Sequence, residues 1–210
     1  MSIASPPELV NPRGSLLAQR LLGWLGWLGW QLHYDGLPSA QGVIVVYPHT
    51  SNWDFPVGLL AKWAMGFDAH FLGKHTLFRI PLFGAWLRWI GGVPVDRAGA
   101  QGVVGQMAEL LQAKKAAGTP CWLAITPEGT RSWRPSWRSG FYRLALAAQV
   151  PVGLAVLDFG RKQVRLVDFV SLSGEVEADM ARIACGFDGA LGCRPALAAP
   201  IRLDSPKDDA

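Results

Sequence analysis

The chain has 210 residues, 50% of them hydrophobic and only 17% charged, with a formal net charge of +4. That length suits one domain with a full core, and the composition excludes a disordered chain, since soluble domains carry about 25% charged residues. Its three cysteines, Cys121, Cys185 and Cys193, form no CxxC pair, which excludes a disulfide scaffold and a zinc ribbon and points to a reducing compartment.

The N-terminus lacks the basic region and the small-residue cleavage site of a secretory signal. Leu16 to Leu32 carries Trp24, Trp27 and Trp30 with Gly23, Gly26 and Gly29 interleaved. Indole rings favour the headgroup level, so one reading is a helix lying in a membrane interface; the other is a core helix packing its Trp rings on the domain. Its uncharged run, Leu21 to Trp30, would be about 15 Å long as a helix against a hydrocarbon core of about 30 Å, too short to span.

Gly42 to Tyr47 then reads as a buried strand, and Trp53 to Gly66 as a helix capped by Ser51 or Asn52. His70 to Gly73 and Val93 to Asp96 are short strands around a helix, Pro81 to Ile90, with Pro at its first position. Gln101 to Ala117 is an amphipathic helix closed by Gly118, and Cys121 to Thr126 a further buried strand. Phe141 to Gln149 is helical, Val152 to Leu157 and Gln163 to Val170 are strands, and Ser173 opens a last helix to about Gly186. The alternation predicts a single-domain α/β sandwich, its largely parallel mixed sheet flanked by helices. In domain terms it predicts an N-terminal interfacial helix over 1–36, the folded domain over 37–194 and a disordered Ala/Pro-rich tail over 195–210.

Within Tyr47 to Phe55, His49 follows a strand and Asp54 comes five residues later. In an unbroken helix five residues turn the second side chain about 140° from the first, so the two meet only with His49 in the turn and Asp54 in the first helical turn. A carboxylate so placed fixes the imidazole tautomer and stabilises the imidazolium, as a general base for a hydroxyl requires. The bland alternative is a structural pair. From Gly129 to Arg165 seven basic residues stand against one acid, Asp158, so an anionic partner is expected. The arginines of Arg131 to Arg143, with Trp133 and Trp137, resemble a stacking surface for single strands, but Pro135 breaks any helical face and lipid headgroups suit a Trp-rich chain better; no nucleic acid is expected. His70, His75 and Asp68 offer no tetrahedral set beside His49, so no metal is expected, and His33 reads as a solvated loop residue.

The order of the later blocks narrows the reading. They are Leu72-Gly73-Lys74, Leu77 to Gly84, Gly91 to Arg97, Thr126 to Ser132 and Val150-Pro151-Val152. Together with His49-x-x-x-x-Asp54 this succession resembles the glycerolipid acyltransferase family, the 1-acylglycerol-3-phosphate acyltransferases and their lysophospholipid acyltransferase relatives. The resemblance implies that His49 takes the proton of an acceptor hydroxyl, that Asp54 orients it, and that the oxygen attacks an acyl thioester with no acyl-enzyme. By the same resemblance Arg97, Glu128, Gly129, Thr130 and Arg131 fall on acceptor-binding blocks, where guanidinium groups hold a phosphate bidentately and glycine lets the backbone come close. Alternatively Arg131 pairs with Glu128 to hold the loop. Lys74 matches a basic position near the acyl-transfer centre, and Pro151 a packing position. Pro48 and Thr126 replace a polar and an aromatic residue common in the family, as in a small bacterial branch with the His-Thr-Ser-Asn-Trp-Asp-Phe form.

What this implies is an enzyme moving a fatty acyl group from acyl-CoA or acyl carrier protein to a lysophospholipid, first 1-acylglycerol 3-phosphate, giving phosphatidate without a cofactor. It would be peripheral or monotopic on the cytoplasmic face of the cell membrane. Glycerol 3-phosphate, another lysophospholipid or an amino-acid lipid are alternative acceptors. A non-catalytic lipid-binding protein would keep the Trp and Arg patches without needing His49, Asp54 and Arg131. Leu77 to Ile90, with Trp86 and Trp89 beside Arg79 and Arg88, is an interfacial element, part of an acyl tunnel, or core.

Overall fold

The computed structural model describes residues 20, 23–95 and 102–204. Seven strands form one sheet: β1 (Gln31–Tyr34), β2 (Gln41–Tyr47), β3 (Ala69–Lys74), β4 (Gly92–Val95), β5 (Cys121–Ile125), β6 (Val152–Asp158) and β7 (Gln163–Val170). Their order is β1-β7-β6-β2-β5-β3-β4, and every neighbouring pair is parallel except β6 with β7. The expected α/β sandwich is therefore present.

Side chains alternate across a strand, and the continuous apolar runs of β2, β5 and β6 are explained by burial on both faces. On one face Val43, Val45, Leu123 and Val152 pack against α3 (Gly102–Ala116), α4 (Gly140–Ala148) and α5 (Val176–Gly186). On the other, Ile44, Trp122, Leu157 and Val164 lie under α1 (Asp54–Met65). Helix α1 stops at Gly66, whose φ of 74° lets its N–H reach back to the carbonyls of Lys62 and Trp63. A 3-10 turn, His75–Arg79, and α2 (Phe83–Trp89) join β3 to β4.

Because β2, β3, β4 and β5 run parallel, Tyr47, Lys74, Val95 and Ile125 all end at one edge of the sheet, where ligands of open α/β sheets collect. Strand β7 reverses against β6 and β1 follows β7, so β1 runs opposite to β2 and its first residue, Gln31, lies at that same edge.

Three expectations change. Leu16 to Leu32 is not one helix: residues 23–27 are helical, but Gln31–Tyr34 pairs with β7 as an edge strand, so His33 sits in a strand rather than a loop. Period-three Trp and Gly hid the short alternation of Gln31 to Tyr34. Of that segment's aromatics, Trp30 packs edge-on against Phe159 while Trp24 and Trp27 are exposed. The tail is ordered from Pro195–Leu197, a 3-10 turn, to Asp204, because its backbone is bonded to the domain: Tyr47 Oη donates to the Ala199 carbonyl and Leu203 bridges to Trp137. Helix α1 begins at Asp54 with no side-chain cap from Ser51 or Asn52, since the cap position falls on Trp53. Residues 1–19, 21–22, 96–101 and 205–210 are outside the described residues, and with them Arg97 and the start of the N-terminal segment.

Candidate active site

The chain leaves β2 at Tyr47, turns through a cis Tyr47–Pro48 bond, and enters α1 at Asp54. That places His49 in the turn and Asp54 in the first helical turn, the arrangement the spacing required. His49 Nδ1 lies 3.1 Å from Asp54 Oδ2 without the alignment of a hydrogen bond, and Asp54 is 2% exposed. Such pairs commonly tighten only when substrate binds. The same Oδ2 accepts the backbone N–H groups of Thr50 at 2.7 Å and Ser51 at 2.8 Å, so the carboxylate folds the loop around itself. Its other oxygen, Oδ1, is buried and has no hydrogen-bond partner among the described residues.

Glu128 is not directed at an acceptor. It is 1% exposed and bridges two backbone amides, Oε2 accepting from His49 N at 2.6 Å and Oε1 from Ala199 N at 2.9 Å. Burial pushes its carboxyl up, against the pull of those two amides and of His49. It therefore clamps the His49 turn to the C-terminal segment. Thr50, 1% exposed, makes the second clamp: its hydroxyl accepts the Arg194 N–H at 3.0 Å, and Gly192 lies so close that a Cβ there would meet Thr50 Oγ1 at 2.6 Å. Nothing in the sequence pattern marks residues 192–199 as part of the site, because backbone groups do the holding.

Gly129 has a φ of 65°, and the space a Cβ would fill is taken by the Arg138 side chain, whose Nε would lie 3.0 Å from it. The glycine thus seats Arg138, a cation the sequence reading did not single out for the site. Thr130 accepts the Ser132 N–H at 3.3 Å within the loop, and Arg131 is exposed. The Glu128–Arg131 pairing offered as an alternative does not form: both Glu128 oxygens serve the two amides. Lys74 is exposed at the end of β3, on the same sheet edge as His49.

Beneath His49 and Asp54 an apolar cavity of about 160 Å³ opens between α1 and the sheet. Ile44, Val46, Phe55, Leu59, Phe71 and Leu166 line it, and small residues (Gly58, Ala61, Ala124, Ala155) leave the room. Lys62 and His70 reach its wall. Lys62 Nζ donates to the carbonyls of Ala69 at 2.8 Å and Ile90 at 2.9 Å, and burial lowers the His70 imidazole below its ordinary value. None of Leu77 to Ile90 lines this cavity, so that stretch is not its wall. The arrangement is a histidine backed by a buried carboxylate at the mouth of an apolar pocket, with arginines on the loop beside it. That suits proton abstraction from a hydroxyl attached to, or attacking, a greasy chain.

The model of the family described as Acyltransferase matches residues 29–153, more than half of the chain. The mouse (Mus musculus) protein named 1-acyl-sn-glycerol-3-phosphate acyltransferase epsilon is 33% identical over 132 residues, covering 60% of this chain and 34% of its own; this chain thus spans about a third of that relative's length. The crystal structure of the 1-acyl-sn-glycerophosphate acyltransferase PlsC from Thermotoga maritima aligns with a TM-score of 0.51 at 21% identity, over 80% of this chain and 74% of that one. That likeness is one of fold.

Proposed function

Since the chain belongs to the acyltransferase family, we propose that it is an O-acyltransferase that acylates a lysophospholipid, with 1-acylglycerol 3-phosphate as acceptor and phosphatidate as product. The observation that carries the reading is His49 Nδ1 set 3.1 Å from a buried Asp54 at the mouth of the apolar cavity. With Nδ1 turned to Asp54, Nε2 is left to take the acceptor hydroxyl proton. The oxygen then attacks the thioester carbonyl, the C–S bond breaks as the C–O bond forms, and the proton passes from His49 to the departing thiolate. Asp54 holds the ring and offsets the imidazolium charge in between.

The cavity takes the fatty chain of the donor, acyl-CoA or acyl carrier protein, through dispersion and burial alone. Exposed Arg131, Arg138 seated on Gly129, and Lys74 supply the charge for an acceptor phosphate, and Arg97 belongs to the same proposal on its motif. Glu128 and Thr50 position the turn rather than touching substrate. Attachment is peripheral, on the cytoplasmic face; no described helix is long and apolar enough to cross a membrane.

The test is steady-state kinetics of the purified protein on 1-acylglycerol 3-phosphate, glycerol 3-phosphate and a zwitterionic lysolipid, with each donor, products identified by mass spectrometry. Phosphatidate formed fastest, and lost in His49→Ala, is the expected result. Preferred acylation of a phosphate-free acceptor would overturn the acceptor assignment.

A further inference from the structure

The segment joining β3 to β4 has two apolar faces and covers one of them. Phe78, Leu87 and Ile90 are buried against Leu59 and Trp63 of α1 and Phe71 of β3. On the other side Leu77, Ile80, Leu82, Phe83, Trp86 and Trp89 face outward, Leu82 at 88% exposure and Trp89 at 60%. A surface helix ordinarily turns polar residues to water, and single exposed apolar side chains need no explanation, whereas a contiguous set does. Here six fall between Leu77 and Trp89; among them Phe83 stacks on Trp86 at 5.6 Å, and Trp89 leans on Trp63 of α1 at 5.7 Å. Leu82 is held at the tip by a γ-turn in which the Phe83 N–H donates to the Pro81 carbonyl at 2.7 Å. Its φ of 62° is a strained choice for a side chain that buries nothing in the domain.

Charge decides the occupant. From Ala69 to Val95 the chain carries Lys74, Arg79 and Arg88 and neither Asp nor Glu. A second copy meeting this face across a two-fold axis would set these cations against themselves. A bilayer with anionic headgroups answers both features, since indoles settle at the headgroup level and long cationic side chains extend to the phosphates. The covered face adjoins the cavity: Leu59 and Phe71, packed on the Phe78 cluster, also line it, and Phe71 makes an edge contact at 5.1 Å with Phe55 beside His49.

We propose that Leu77 to Trp89 is a membrane wedge, entering the headgroup and upper acyl region of an anionic bilayer and opening the cavity mouth directly onto lipid. The second half, delivery of lysolipid to His49, rests on the acyltransferase reading; the attachment does not.

The experiment uses the full chain with Cys185→Ser and Cys193→Ser, an environment-sensitive dye on Leu82→Cys, and vesicles of phosphatidylglycerol with phosphatidylethanolamine or of phosphatidylcholine alone. The dye is expected to shift to the blue on the anionic vesicles. In flotation assays Leu82→Asp and Trp89→Asp should each weaken vesicle binding by about tenfold, as loss of one buried large apolar side chain implies, with melting temperature and turnover of monomeric short-chain substrates unchanged. A dye blind to vesicles overturns the proposal. So does a blue shift without vesicles, whether it grows with protein concentration, which assigns the face to a second copy, or not, which assigns it to another part of this chain. A protein that shifts on vesicles yet acylates nothing keeps the wedge and removes the acyltransferase mechanism.

Discussion

Two buried carboxylates open two helices of this molecule and do different work. Asp54, at the start of α1, accepts the amides of Thr50 and Ser51 with one oxygen, stands 3.1 Å from His49, and leaves Oδ1 without a partner among the described residues. Asp179, in the first turn of α5, accepts the Ser173 and Gly174 amides, the Ser173 and Tyr142 hydroxyls, and the Arg182 guanidinium. Both tie a loop to its helix. The satisfied carboxylate contributes to stability, while the incompletely satisfied one, beside a histidine and a cavity, keeps capacity for a reacting group.

The sharpest way to break this comparison is at His49 and Asp54. His49→Ala should lower kcat by about 10²-fold to 10⁴-fold with the melting temperature nearly unchanged, and Asp54→Asn should lower it too by misorienting the ring. Turnover like that of the unaltered protein in purified His49→Ala would end the mechanism.

At the other carboxylate the effect should move to stability. Asp179→Ala leaves its buried donors unpaired and should destabilise the fold by about 3 kcal/mol in denaturant titrations, with turnover per folded molecule preserved. The pH dependence has a definite sign. Burial alone would raise the Asp179 carboxyl, but the Ser173 amide, the Tyr142 and Ser173 hydroxyls and Arg182 together hold it well below the usual carboxylate range. An acid depressed in the folded state stabilises above its unfolded pKa of about 3.9, and that share is lost as the pH falls further. The loss on Asp179→Ala should therefore be full at neutral pH and shrink in acid. A constant difference down through that range would mean the carboxylate's charge is not what matters.

A smaller effect, on rate alone, is expected at Thr50. Thr50→Val removes the acceptor of the Arg194 N–H at constant shape, and should reduce kcat several-fold with both KM values kept; Thr50→Ser should restore it. Equal behaviour of the two variants would reduce this clamp to packing. Smallest is the contrast between exposed Arg131 and Arg182, which is tied to Asp179. Arg131→Lys keeps the charge but loses the bidentate fork, so the acceptor KM should rise severalfold in steady-state kinetics while the donor KM stays. A selective rise in the donor KM would reassign Arg131 to the thioester carrier.

Strands β2, β5, β6 and β7 were legible because continuous or alternating apolar runs leave few other solutions, and His49 with Asp54 because a motif carries them. Glu128 was legible as a position and not as a role. Its motif says nothing of direction, and only the fold shows that its two oxygens are spent on the amides of His49 and Ala199. Strand β1 and residues 195–204 were missed for one reason: short segments stabilised by backbone pairing with distant partners carry almost no side-chain signature.

The reversed run of β1 has a mechanical consequence. It brings exposed Trp24 and Trp27, just ahead of Gln31, to the same end of the sheet as His49, while the β3–β4 segment leaves that end near the opposite side. Six inter-strand steps separate the two edge strands, about 29 Å at roughly 4.8 Å each. A body held at one point can swivel freely; one that rests on two feet this far apart can only rock about the line between them. Were both to rest on a bilayer, the His49 turn would lie between them, and the molecule's stance, not merely its grip, would decide which way the cavity mouth looks.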